Sequence, residues 1–339
     1  MRTGKLYIDG NDAYLQYGVF VTEGGYNELV AYPPLKAPET NDWSEEDGIE
    51  TDLESPVLDA REISVKFAIT GVLNRYAAFI ALLSDRAYHT FDFAEIQRTF
   101  RLRMTSCPSQ GDIQMLGEIT LKFSDDFPME GYQYQAPATT LAKSDLYTID
   151  GTPITNYGVR ILKGTREELT KTAEPKKMLE TTSAYRAGKT YDEQGEVHFK
   201  AKDIKMYCLI RAETLEDLWH NYLALLHDLI QPQERELYNK QLEQVFPFYY
   251  KSCSVTAFYP TEESWLQFTL TLTVTDEMRI DNDDIFILAA QNLDIIITER
   301  GEDAAVDLAP DKNSYPSCRL VNNRYTLRFT GNGAFRFNN

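Results

Sequence analysis

Leu6-Tyr7-Ile8-Asp9-Gly10, followed by Tyr17-Gly18-Val19, returns later as Leu146-Tyr147-Thr148-Ile149-Asp150-Gly151, followed by Tyr157-Gly158-Val159. The offset of about 140 residues is too long for a solenoid repeat of roughly 20–50 residues and matches the size of a whole domain. The chain therefore reads as two copies of one fold joined head to tail, with a remainder.

The match deepens along the chain. Gly24 and Glu28-Leu29 align with Gly164 and Glu168-Leu169, and Ala60-Arg61-Glu62-Ile63 aligns with Ala201-Lys202-Asp203-Ile204. Strand patterns follow in both copies. Ile63, Val65, Phe67 and Ile69 alternate with polar or small residues, as do Ile204, Met206, Cys208 and Ile210. A period of two places one row of side chains on a buried face. Val72, Tyr76, Phe79, Ile80 and Leu83 then fall at helical spacing, and Leu215, Trp219, Tyr222, Leu223 and Leu226 repeat that spacing. Such a stripe predicts an amphipathic helix packed on a sheet. Thr214 with Asp217 reads as a helix start of the capping-box kind.

Further strands close each copy. Phe100, Leu102 and Met104 alternate, then Ile119, Leu121 and Phe123; copy two has Phe248–Phe258, then Phe268, Leu270, Leu272 and Val274. Ser106-Cys107 aligns with Ser252-Cys253, and Ser124-Asp125-Asp126 with Thr275-Asp276-Glu277. One convincing helix per copy predicts a mainly β fold, a β-sandwich or barrel with one flanking helix, tandemly duplicated. The boundaries read as 1–135 for copy one, 143–280 for copy two, and a small β-rich segment over 281–339. In the last segment Tyr325, Leu327 and Phe329 alternate before Gly331-Asn332-Gly333, and Phe335 and Phe337 follow, which predicts a hairpin. So short a segment has a thin core and is expected to pack on a repeat or on a neighbouring subunit.

The chain has 339 residues and a net charge of −18, which argues against a phosphate-neutralising surface. It contains no apolar run long enough for a transmembrane helix, and Met1–Lys5 lacks the apolar core of a signal peptide. Synthesis in a cytoplasm is the expectation. Cys107, Cys208, Cys253 and Cys318 form no CxxC pair and read as core thiols in a reducing compartment. His220 and His227 share a helix face without a completing ligand set, so neither metal nor cofactor is expected. Dinucleotide, P-loop, nucleophile-elbow and zinc-protease motifs are absent, and the chain is not expected to be an enzyme. Asp9-Gly10 and Asp150-Gly151 lie between strand-like residues and read as turns, since Asp and Gly tolerate positive φ.

One charged run stands out. Glu39–Glu54 carries Asp42, Glu45, Glu46, Asp47, Glu50 and Asp52 with no basic residue, and it includes Trp43; copy two has a mixed-charge segment, Lys176–Lys202, in its place. The run reads either as a solvated acidic loop or as a candidate surface facing a channel or partner.

The opening Leu6–Val19, the run Trp43–Leu53, the stretch Leu58–Ile63 and the order of strand, helix and strand resemble tailed-phage distal tail and baseplate tail-hub proteins. The resemblance covers copy one well and copy two more faintly, together about 1–280; copy two lacks the Trp and the acidic run. It implies a virion structural protein, found in phages or prophages, in which β-barrel units ring the DNA channel. It implies self-association as a trimer or hexamer, other tail proteins as partners, no membrane span and no specific nucleic-acid binding. Two units per chain would give a pseudo-sixfold ring from three chains. A carbohydrate- or protein-binding β-sandwich module is the alternative, favoured by exposed aromatics over a shallow concave surface.

Overall fold

The computed structural model describes residues 2–22, 24–70, 73–85, 87–110, 116–177, 180–182, 184–191, 197–260 and 263–276, together with five strands beyond them. Copy one contains β1 (Tyr7–Ile8), β2 (Asn11–Asp12), α1 (Ala13–Tyr17), β3 (Val19–Val21), α2 (Asn27–Val30), β4 (Arg61–Thr70), α3 (Leu73–Leu83), β5 (His89–Phe93), β6 (Arg98–Gln110) and β7 (Leu116–Asp125). Copy two contains β8 (Tyr147–Ile149), β9 (Thr152–Pro153), a 3-10 turn over Ile154–Tyr157, β10 (Val159–Ile161), α4 (Thr165–Leu169), β11 (Lys202–Ala212), α5 (Leu215–Leu229), β12 (Arg235–Asn239), β13 (Gln244–Tyr259) and β14 (Ser264–Val274).

The two copies have one topology. The first sheet runs β2-β1-β5-β6-β7-β4-β3 and the second β9-β8-β12-β13-β14-β11-β10, both antiparallel throughout. The alternation in sequence becomes burial. Ile63, Val65, Phe67 and Ile69 are buried along β4, and Ile204, Met206, Cys208 and Ile210 along β11. Val72, the first residue of the copy-one helix stripe, lies outside the described residues.

Each sheet curls, which brings its two edge strands near one another. Laid flat, seven strands at about 4.8 Å spacing would put the outer two roughly 29 Å apart. Yet edge strands β2 and β3 are joined by α1, five residues long, which spans only about 8 Å at 1.5 Å per residue. Asp12 starts this helix by accepting from the amides of Tyr14 and Leu15. Copy two has Pro153 there, makes no side-chain cap, and crosses the same gap with the 3-10 turn.

The Asp-Gly pairs are the β1–β2 and β8–β9 turns. Asp9 and Gly10 have φ of 50° and 80°, and Asp150 and Gly151 have 49° and 75°, as a two-residue hairpin of the primed kind requires. Their carboxylates also tie the turn to the neighbouring strand. Asp9 accepts from the Thr90 amide at 2.9 Å and meets His89 Nδ1 at 2.6 Å; Asp150 accepts from the Glu236 amide at 2.9 Å and meets Arg235 at 3.1 Å.

One expected alignment shifts. Strand pairing sets Ser124 opposite Glu62 and Thr273 opposite Asp203, so Ser124 matches Thr273, two residues before the Thr275 suggested by the Ser-Asp-Asp similarity. Register follows the buried apolar row, Phe123 opposite Ile63 and Leu272 opposite Ile204, rather than the similarity of the polar residues at the strand ends.

Residues Met1–Glu277 form one compact unit that holds both sheets; Met278–Asn339 form another. The second unit is a five-stranded antiparallel sheet of β15 (Ile285–Ile287), β16 (Ala305–Asp307), β17 (Ser317–Arg319), β18 (Thr326–Thr330) and β19 (Ala334–Asn338). β18 and β19 pair from Thr326↔Asn338 to Thr330↔Ala334, the expected hairpin.

Candidate functional site

Each copy sends out a strap between a short helix, α2 or α4, and its long strand, β4 or β11. In copy one, the Lys36 amide donates to the Val57 carbonyl and the Asp59 amide to the Pro34 carbonyl; in copy two, Lys176 donates to His198 and Lys200 to Glu174. Thr40–Asn41 pairs with Glu50–Thr51 further out, as Glu180–Thr182 pairs with Lys189–Tyr191. A cation anchors each root. Arg61 donates to the carbonyls of Leu29 and Ala31 and pairs with the buried Asp125 at 2.9 Å; Lys202 donates to the carbonyls of Leu169 and Lys171. The preserved charge at this position thus holds the end of a short helix, where carbonyls lack helical partners.

The copy-one strap lies on copy two. At its root, Tyr32 stacks on Tyr222, and the Tyr250 hydroxyl donates to the Pro33 carbonyl at 2.8 Å. Burial raises the Tyr32 phenol well above its ordinary pKa, so it remains a protonated donor. The Leu35 amide donates to Lys251 at 3.0 Å. Further out, Gly48 donates to the Phe199 carbonyl at 2.8 Å and Ile49 to the Thr275 carbonyl at 2.9 Å. On the return, the Leu53 carbonyl accepts from Gln233 at 2.8 Å.

Copy one also covers α5 directly. Trp219 Nε1 donates to the Ile96 carbonyl at 2.7 Å, and the Arg98 guanidinium sits 5.4 Å from the Trp219 ring. The Asn221 side chain holds Ala138 of the connecting segment through both its amide and its carbonyl, at 2.8 and 2.7 Å. α5 is consequently buried nearly all round. Trp219, expected to anchor the helix on its own sheet, does so through Phe258 and also fastens it to copy one. A cavity of about 480 Å³ remains at this junction, lined among others by Tyr32, Arg61, Arg98, Asp125, Trp219 and Tyr222.

The acidic residues fall on the outer half of the copy-one strap. Asp42 pairs with the buried ammonium of Lys176 at 2.6 Å, and that ammonium also donates to the Trp43 carbonyl at 2.6 Å. Asp47 accepts from the Phe199 amide at 2.6 Å and lies 3.6 Å from His198. Trp43 is 51% exposed, with its indole N–H on Glu50 at 3.1 Å. Asp52 accepts from the Glu54 amide, while Glu45 and Glu46 are exposed. The run is therefore pinned to copy two at Asp42 and Asp47 and open to solvent between them. Lys176, Tyr32 and Ile96 are the partners that sequence reading missed. The Tyr32-Pro33-Pro34-Leu35 run, apolar and just before the acidic stretch, was the available signal for the first docking point.

Among the described residues, no group of three or more His, Cys, Asp or Glu is placed to hold a metal ion, and no helix is long and apolar enough to cross a membrane. The arrangement is that of a mainly β protein with two like sheets fastened by a strap. No family model and no curated protein matches the chain. Among solved structures it is similar to SPP1 Dit (gp 19.1), described as a paradigm of the hub adsorption apparatus in phages infecting Gram-positive hosts. The identity is 13%, the match covers 80% of this chain and 98% of that one, and the TM-score is 0.30.

Proposed function

We propose that this chain is a structural, non-catalytic component of a phage or prophage-derived tail tip or baseplate, three chains closing a pseudo-sixfold ring around the DNA channel. The observation that carries this reading is the junction inside the chain. Copy one meets copy two through unlike faces, strap on one side and helix α5 with β13 on the other. Contacts between unlike faces propagate, and they close into a ring when the rotation per unit is right. The sequence resemblance to distal tail and tail-hub proteins supplies the setting: a virion tail assembled from chains made in the host cytoplasm, with other tail proteins as neighbours.

In this reading, 1–135 and 143–280 are two tail-tube-like domains and 281–339 is a separate small β segment. The acidic strap residues Glu45, Glu46, Glu50 and Asp52, with Trp43 beside them, rim the channel. An acidic wall repels the DNA polyanion and lets it slide, whereas a basic wall would bind phosphates. Screening confines this to about 8 Å from the wall at physiological salt. Light scattering on the purified chain, with a reconstruction of the assembled particle, tests the reading. A three-chain mass and a channel rimmed by the strap support it. A monomer at every concentration overturns the ring, and a strap pointing away from the channel overturns the electrostatic role alone.

A further inference from the structure

We propose that the cavity at the junction of the two copies binds an organic carboxylate, a single negative charge on an apolar body, and that Arg98 receives the charge. The inference goes beyond the ring reading and does not depend on it.

Arg98 brings to this cavity a charge that nothing answers. Its guanidinium stands 5.6 Å from the centre of the Phe100 ring and 5.4 Å from that of Trp219. Among the described residues, no carboxylate pairs with it and no oxygen accepts from its N–H groups. The other charges of the wall are paired: Arg61 with Asp125 at 2.9 Å, and Arg101 with Glu130 at 3.5 Å, where both side chains are exposed at the mouth. Three arginines against two carboxylates leave one positive charge in the wall, in a chain of net charge −18. Burial, and then the nearby Arg61, lower the Arg98 pKa from its ordinary value, yet a guanidinium keeps its proton. A cation drawn away from water is costly unless an anion meets it. Ring faces attract the cation but leave its in-plane donors free.

The fold itself does not require this charge. Phe93 pairs with Arg98 as Asn239 pairs with Gln244, so the copy-two counterpart is neutral.

Size and lining define the ligand. A volume of about 480 Å³ lies within the roughly 300–1,000 Å³ of small-molecule sites. One uncompensated positive charge suits a monoanion; a phosphate dianion would bring a surplus charge towards Asp125. The planar fork of an arginine matches a carboxylate. Phe100, Trp219 and Leu223 supply an apolar wall for the body that carries it. A small molecule and an acidic side chain of another polypeptide share this chemistry, and the test separates them.

The test uses the full chain with Trp43→Phe and Trp265→Phe, which leaves Trp219 as the single tryptophan. Phenylacetate should change the Trp219 emission saturably, and the neutral phenylacetamide should bind about tenfold or more weakly. Arg98→Gln, which matches the copy-two position, should lose the same factor for phenylacetate, and Arg98→Lys, with charge but no fork, should fall between. A capped Phe-Glu-Phe tripeptide that displaces phenylacetate where Phe-Gln-Phe does not assigns the carboxylate to a polypeptide; a tripeptide without effect assigns it to a small molecule. Equal binding of acid and amide, undiminished binding by a folded Arg98→Gln, or no saturable change at Trp219 overturns the site. Displacement of phenylacetate by equimolar inorganic phosphate overturns the choice of a carboxylate. The comparison of acid and amide needs no change at Arg98, so it decides even where Arg98→Gln fails to fold.

Discussion

Tyr32 lies face to face with Tyr222, ring centroids 4.0 Å apart, and donates its hydroxyl to the Tyr222 carbonyl. One aromatic side chain of copy one therefore both packs against and bonds to the helix of copy two. Tyr32→Phe removes only the hydrogen bond and should cost about 1 kcal/mol, plus the penalty of a buried carbonyl losing its partner. Tyr32→Ala should cost about 3–5 kcal/mol. Chemical denaturation of the two variants separates the contributions; equal losses would mean the ring contributes nothing.

Trp219→Ala should also destabilise by about 3–5 kcal/mol, since it empties a site between Phe258 and the Ile96 turn. Because the indole N–H bonds across the junction, the amide of Gln97 beside that turn should exchange faster in the variant. A melting temperature within error of wild type would place the ring on the surface.

Gly48→Ala and Gly188→Ala form a matched pair. Both positions have positive φ, 66° and 85°, so each substitution carries left-handed strain of roughly 1–2 kcal/mol. Only Gly48 also faces a carbonyl. Hydrogen exchange at Ile49, bonded to Thr275, should accelerate in Gly48→Ala and stay unchanged in Gly188→Ala.

Lys176→Met leaves Asp42 without its cation and frees the Trp43 carbonyl. Asp42 is largely solvent-exposed, so the loss should be modest, about 1 kcal/mol. The fluorescence of Trp43 should shift as the strap tip loosens, and an unchanged spectrum with unchanged exchange at Gly48 would argue against this pin.

His89 supplies a pH dependence. Burial lowers its affinity for a proton, but hydrogen bonds and charge from Asp9 and Asp85 outweigh burial and raise its pKa above the ordinary value. A raised folded pKa gives stability that is complete below the unfolded pKa of about 6.5 and is lost as pH rises through the folded one. His89→Gln should flatten the stability profile above about pH 6.5. In copy two the corresponding pair is Arg235 on Asp150.

The duplicated fold was legible because its signals are local. Asp-Gly turns, the alternation of β4 and β11, and the helix stripe each depend on neighbours a few residues apart. The Ser124 alignment slipped because a short Ser-Asp-Asp likeness at the strand end does not fix pairing; the buried row from Ile119 to Phe123 carries the register. The straps were legible only as an acidic run. Their docking joins Tyr32 to Tyr222 and Ile49 to Thr275, contacts between distant positions that no periodicity encodes. The His89–Asp9 and Arg235–Asp150 pairs stayed hidden because the repeats solve one electrostatic problem with different cations.

The strap also imposes an order of events in time. Gly48 and Ile49 are made early, yet their partners Phe199 and Thr275 leave the ribosome much later. At about 5–20 residues per second, the strap waits on the order of ten to forty seconds for a surface to rest on. During that wait it is without the partners that its Gly48 and Ile49 amides have in the finished fold, the state most open to misassembly with other nascent chains. Its run of carboxylates, short of β-forming residues, suits that interval: like charges on neighbouring nascent chains repel until copy two is complete.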